Sequence, residues 1–162
     1  MVFDSKIQIR NTSPSDYEMV ISAMPTWWDG RDLTAMIPKV FFIHFSNTSF
    51  IAEKDHQFVG FLVGFMSQTE KKVGYIHFAG VHPGFRKEGI GKMLYKSFFQ
   101  CCKSNERTII KSCTSPVNKL SIGFHQSMGF EIEHGDGIID GVPVTLNYLG
   151  VNNPKVLFRK EI

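Results

Sequence analysis

Residues 82–95, HPGFRKEGIGKMLY, place Arg86 and Lys87 just ahead of Gly89 and Gly91, where a helical stripe begins. Unbonded N–H groups at a helix N-terminus form an anion site, and glycine lets an anion approach them closely. An exposed cation in that first turn opposes the helix dipole by about 0.3–1 kcal/mol, a sign that a bound anion reverses. A capped helix with a solvated basic turn is the alternative. Two familiar phosphate loops are excluded. A Walker A loop needs GxxxxGK[ST], but Gly91-Lys92 is followed by Met93; a dinucleotide fingerprint needs GxGxxG, but Leu94 stands at the last glycine. His77 and His125 are the other candidates, each suited to proton transfer near neutral pH or to a hydrogen-bonded place in the core.

VHPGFRKEGIGKMLY followed by SPVNKLSIGFHQSMGF resembles the GNAT superfamily, acyltransferases that use acetyl-CoA, and the resemblance covers essentially the whole chain. Arg86, Gly89 and Gly91 match the pyrophosphate-binding motif; Asn118, Ser121, Phe124, Gly129 and Phe130 match the second motif. It implies an α/β fold, a mixed central sheet flanked by helices, in one domain over 1–162. It implies acetyl-CoA as cosubstrate, held by Arg86, Lys87, Glu88, Gly89, Ile90 and Gly91, by main-chain groups of Ala79 and Val81, and by Asn118 and Ser121. The Val81 N–H is expected to face the thioester oxygen, a contribution of about 2.7–4 kcal/mol in the transition state. His125 stands where the family commonly has a tyrosine that protonates the departing thiolate; a histidine can do the same work, and the resemblance implies His125 as that acid.

The implied reaction is direct attack of an amine within a ternary complex. Strand alternation puts His77, Ala79 and Val81 on one face. From there His77 takes the amine's proton, directly or through water. A free imidazole of pKa about 6.5 is a weak base against an amine near 10.4, and becomes adequate as the new bond forms. In TWWDGR, Trp27, Trp28 and Arg31 are read as an acceptor wall, with an Asp29–Arg31 pair as the structural alternative. Small amines are the preferred acceptors, a protein N-terminus or lysine the second enzymatic reading. A non-catalytic acyl-CoA-binding module is the alternative from another class.

The elements that must position these residues follow from periodicity. KIQIRN alternates as a first strand, Pro14 opens a helix over 14–24, and the turn residues from Pro25 to Gly30 end it. A second helix is expected over 36–47, and a hairpin turns at Asp55-His56-Gln57. A strand over 73–81 stops at Pro83. The helix over 89–103 carries Ile90, Met93, Leu94, Phe98 and Cys101 on one face; the helix over 118–128 carries Ser121, Phe124, His125 and Met128. Strands over 107–115, 130–134 and 155–162 complete the order β-α-α-β-β-β-α-β-α-β-β.

Composition narrows the class. The chain has 162 residues, 43% hydrophobic and 20% charged, enough for one continuous core. A net charge of +3 without a basic stripe argues against nucleic acid and fits a small anion. Cys101, Cys102 and Cys113 form no CxxC, so packing and a reduced, cytoplasmic setting are expected. The scattered histidines offer no metal motif, MVFDSKIQIR has no leader pattern, and FVGFLVGFM is too short to span a bilayer. The glycine-punctuated 135–154 segment is a candidate homodimer contact.

Overall fold

The computed structural model describes residues 6–162; the leader-free reading of the N-terminus rests on residues 1–5 and lies outside the described residues. The chain runs β1 (Ile7–Asn11), α1 (Asp16–Trp27), α2 (Val40–His44), β2 (Phe50–Lys54), β3 (Gln57–Met66), β4 (Val73–Val81) and α3 (Ile90–Ser104). It continues with β5 (Ile109–Thr114), α4 (Lys119–Ser127), β6 (Glu131–Ile132), β7 (Gly137–Ile139), β8 (Val142–Val144) and β9 (Val156–Glu161). The main sheet has the order β1-β2-β3-β4-β5-β9-β6, antiparallel except for the parallel β4–β5 pair. This is the expected mixed sheet flanked by helices.

The sheet separates two apolar clusters. On one side α3 contributes Ile90, Leu94, Tyr95, Phe98 and Cys102, and α4 contributes Ile122, packed against Leu62, Ile76, Ile110 and Phe158. On the other, Val20, Met24 and Trp27 of α1 join Phe41 and Phe42 of α2 against Ile51, Phe61 and Val63. Each large side chain taken fully from water here contributes about 1.5–3 kcal/mol. The alternating assignment of Leu62 and Val63 to opposite clusters is the period-2 rule at work.

Three expectations change. Helix α1 does not stop at Pro25 but runs through it to Trp27, which is 3% exposed. Proline there removes one hydrogen bond near a helix end, where the buried Trp27 ring outweighs the loss. The second helix shrinks to Val40–His44, flanked by 3₁₀ turns at Thr34–Met36 and Ser46–Thr48, because Pro38 has no N–H and keeps the preceding residue out of helical geometry. The 135–154 segment holds the β7–β8 hairpin, which periodicity did not reveal.

The β2–β3 hairpin closes through Asp55 and His56, with φ of 50° and 64°, between the paired Lys54 and Gln57. Two positive φ angles make this a type I′ turn, in which a non-glycine second residue is strained. Replacing His56 with glycine is expected to stabilise the protein by about 0.5–1 kcal/mol. Urea unfolding measures it, and an unchanged or lower midpoint would contradict this turn geometry.

Candidate active site

β4 pairs with β5 only from Val73–Ile109 to Ile76–Ser112. Beyond Ile76, residues 78–81 stay paired to β3 while β5 stays paired to β9 as far as Thr114. The sheet therefore splays open at its middle. His82 donates its N–H to Val59 O at 2.9 Å, so the antiparallel pattern turns Gly80 toward β3. It turns the main-chain groups of Ala79 and Val81 to the open edge.

The strand does not keep its alternation. Val63 faces Phe78 while its neighbour Gly64 faces Ile76, so His77 is the extra residue of a β-bulge. The expected shared face of His77, Ala79 and Val81 is overturned for this reason. Ala79 and Val81 pack on the α3 side, whereas His77 stacks on Phe41 at 4.5 Å on the α1–α2 side. The splay thus has a histidine on one face and the amides of Ala79 and Val81 along its edge. His77 Nε2 lies 2.6 Å from Met36 O. A carbonyl only accepts, so Nε2 carries the proton and Nδ1 keeps its lone pair.

At the end of β4, His82 accepts the Gly84 N–H through Nδ1 at 3.0 Å and a short turn spans Pro83–Phe85. From Arg86 to Lys92 no backbone N–H is bonded among the described residues; the next, Met93, reaches Gly89 O at 3.0 Å. Lys87 and Gly89 both take left-handed conformations, with φ of 69° and 81°, the kind of backbone turn that lets successive N–H groups serve one anion. Among the cradle residues, Arg86 is exposed and donates to Trp27 O at 3.2 Å, holding the loop to the end of α1. Glu88 pairs with Lys54 at 2.6 Å, and the Ile90 side chain is buried, leaving only its amide to the cradle. Gly91 abuts Phe124, where a Cβ would stand 3.4 Å from the ring.

His125 sits in the core, 4% exposed and stacked on Phe158 at 4.1 Å. Its Nδ1–H donates to Ser121 O at 2.8 Å, and its Nε2 accepts from Tyr95 Oη at 2.9 Å. Burial pushes its pKa down to about 4, against the raising effect of the Ser121 bond. A neutral imidazole with both nitrogens bonded is not placed to act as an acid in the cleft, so the expected acid role of His125 is corrected to a place in the core. Tyr95 is the residue the sequence reading missed. It lies three before Phe98 and seven before Cys102, on a face centred slightly away from the stripe drawn through Met93 and Cys101. Burial raises its pKa, with Ser112 as an opposing hydrogen-bonding neighbour. Ser112 in turn donates to Ile76 O at 3.0 Å, at the last β4–β5 pair. Asn118 caps α4, accepting the Ser121 N–H at 3.1 Å.

The tryptophans part company. Trp27 is buried against Phe58 at 4.8 Å and is corrected from acceptor wall to core. Trp28 is half-buried and lies over Gly80, filling the space a Cβ would need. Arg31 is exposed and donates to Trp28 O at 3.3 Å, with no Asp29 partner among the described residues. No group of three or more metal-ligating side chains occurs among the described residues, and no described helix is long and apolar enough to cross a membrane.

A family model described as "Acetyltransferase (GNAT) family" matches residues 15–130, and the chain belongs to that family. A search of curated protein sequences finds no match. Among solved structures, the chain is similar to Arabidopsis thaliana Naa50 in complex with the bisubstrate analogue CoA-Ac-MVNAL (TM-score 0.74, 17% identity, 96% of this chain and 99% of that one). It is similar to diaminobutyrate acetyltransferase EctA from Paenibacillus lautus, with L-2,4-diaminobutyric acid and coenzyme A (0.67, 20%, 96% and 94%). It also resembles yncA from Salmonella typhimurium with acetyl-CoA (0.68, 13%, 96% and 93%). The protein is an acetyltransferase of this class.

The buried His125 has a measurable consequence. Its folded pKa of about 4 lies below the ordinary 6.5, so its neutral form contributes fully above pH 6.5. That contribution is lost as pH falls from 6.5 through 4, by roughly 3 kcal/mol. Urea unfolding between pH 7 and 4 should show this slope, and His125→Gln should show less of it. Equal slopes would remove His125 from the core network.

Proposed function

We propose that the splay between β4 and β5 is the acetyl-transfer site, and that its acceptor is the primary amine of a small molecule. The observation that carries this is the conjunction of an open β4 edge at Ala79 and Val81 with the unbonded amides from Arg86 to Lys92. An extended polar arm fits the first, and a pyrophosphate fits the second. Arg86 and Lys87 add charge to the cradle, and the Lys54–Glu88 pair braces it. Asn118 and Ser121 stand at the start of α4 beside the cofactor arm, and the small Ser121 leaves room there.

Bound acetyl-CoA supplies the activated acyl group; the chain supplies orientation and proton handling. The Val81 amide, at the open edge, donates to the thioester oxygen as charge develops. His77 takes the amine's proton through Nδ1, because Met36 O fixes the tautomer. Trp28 and Arg31 form the acceptor rim. Since His125 is neutral and bonded on both nitrogens, the departing thiolate takes its proton from solvent, which a thiol of pKa about 8.5 permits near neutral pH.

The contact of Tyr148 with Tyr75 across the sheet face supports a short acceptor groove and thus a small molecule. A peptide acceptor is the second reading, favoured by the likeness to Naa50 with its peptide-bearing analogue. The free cysteines support a reducing, cytoplasmic setting. Exposed Ile138, Leu149 and Val151 support a homodimer contact in the 135–154 segment. Neither nucleic acid nor membrane enters this reading.

Acceptor-dependent release of CoA thiol, with the product's mass, tests the reaction across amino acids, polyamines and short peptides. His77→Ala is expected to lower kcat by about a hundredfold or more while the Kd for acetyl-CoA changes little. An unchanged kcat would remove His77 as the base. Arg86→Ala should weaken acetyl-CoA binding in calorimetry by about tenfold, the effect of one charge-assisted contact; equal affinity would move the phosphate away from this loop.

A further inference from the structure

On the α1–α2 face of the sheet, across the splay from His77, polar side chains meet with no carboxylate hydrogen-bonded to them among the described residues. Cys113 is the first β5 residue beyond the last β4–β5 pair, as His77 is on β4. Tyr75 Oη donates to Cys113 Sγ at 3.4 Å and receives a hydrogen bond from Tyr148 Oη at 3.5 Å. Tyr75 stacks on Phe65, which places this group on the same face as His77. On β9, Leu157 is the cross-strand partner of Cys113, and alternation puts Lys155 on that face too, one step nearer the cleft mouth. Lys155 is half-buried and forms no ion pair among the described residues. Its charge acts on Cys113, lowering a thiol pKa that burial raises.

The surrounding carboxylates are engaged elsewhere. Glu70 and Glu133 pair with Lys111 at 3.3 and 3.7 Å, and Asp136 accepts the Leu146 N–H at 2.7 Å. Tyr75 therefore donates to one weak sulfur acceptor, Tyr148 donates to Tyr75, and the ammonium of Lys155 has only the same thiol's lone pairs to act on. Such a cluster is short of strong acceptors, and a half-buried cation without a counter-charge is costly unless a ligand supplies one. Arg31, on the loop after α1, adds a further cation, hydrogen-bonded to Trp28 O and flanked by Asp29 and Asp32.

We propose that Tyr75, Tyr148 and Lys155 form an anion-recognition pocket in the acceptor half of the cleft, so that the acceptor is an amine carrying a carboxylate or phosphate. The inference rests on the acetyl-transfer reading of the same site. Lys155 and Tyr148 hold the anion while the amine reaches Nδ1 of His77. Simple polyamines meet a positive wall and are poor acceptors.

Paired acceptors that differ by one anionic group test it: ornithine against putrescine, and phosphoethanolamine against ethanolamine. The wild-type enzyme is expected to favour the anionic member of at least one pair by about tenfold in kcat/KM, mainly through KM. The favoured pair tells carboxylate from phosphate. Lys155→Gln should bring that ratio toward one, and Lys155→Glu should invert it; Tyr148→Phe should reduce it. Calorimetry of ornithine and phosphoethanolamine with the protein–CoA complex gives a readout independent of turnover. Acetylation of putrescine and ethanolamine as well as their anionic partners would overturn this pocket and leave acetyl transfer standing. An equal loss for both members in Lys155→Gln would also overturn it. Absence of turnover, with no binding of either anionic amine to the CoA complex, would overturn both readings.

Discussion

The structure turns on where one strand pair ends. β4 and β5 pair as far as Ile76 and Ser112, and beyond that point the amides and carbonyls of β4 have no strand partner on that side among the described residues. Unpaired backbone groups inside a domain cost free energy unless a ligand or water satisfies them. An internal sheet edge of this kind is a standing demand for an extended polar ligand, and the cradle from Arg86 to Lys92 lies at the end of the same strand.

Several packing features hold that edge in place. Ser112 bonds Ile76 O at the last pair, and behind it Tyr95, His125 and the Ser121 carbonyl form a closed hydrogen-bonded run within the apolar cluster. Polar groups buried at such a point are tolerated because each is bonded, and a fully satisfied network stiffens its surroundings. On the other face, the bulge at His77 places the imidazole against Phe41 and ties it to Met36 O. The same bulge strengthens the local twist that carries β4 away from β5. One inserted residue thus shapes both the opening and the direction of the histidine beside it.

The two faces of the sheet divide the chemistry that we assign. The cofactor half is defined by backbone: amides of Ala79 and Val81, and those of the loop before α3. The acceptor half is defined by side chains from several separate segments, namely Trp28 and Arg31 after α1, Met36 before α2, His77 and Tyr75 on β4, and Tyr148 and Lys155 before or at the start of β9. Backbone recognition needs few particular residues, whereas an acceptor pocket built from distant segments depends on how those segments come together.

That division also decides what the sequence determined. Helix periodicity located α3 and α4, and the Asp55-His56 turn, the Gly89 left-handed position and the Asn118 cap are local demands that residues state for themselves. Local chemistry was misleading at Pro25, where burial of Trp27 carried the helix on. Only the tertiary structure decided that His77 and Ala79 face opposite ways, because a strand pattern gives no sign of a residue that its neighbour leaves unopposed. Only it turned His125 inward to Tyr95, a partner thirty residues away, and joined Tyr75 to Cys113 and Tyr148. Periodicity reports which face of its own element a side chain takes; what stands opposite that face is set by packing between elements.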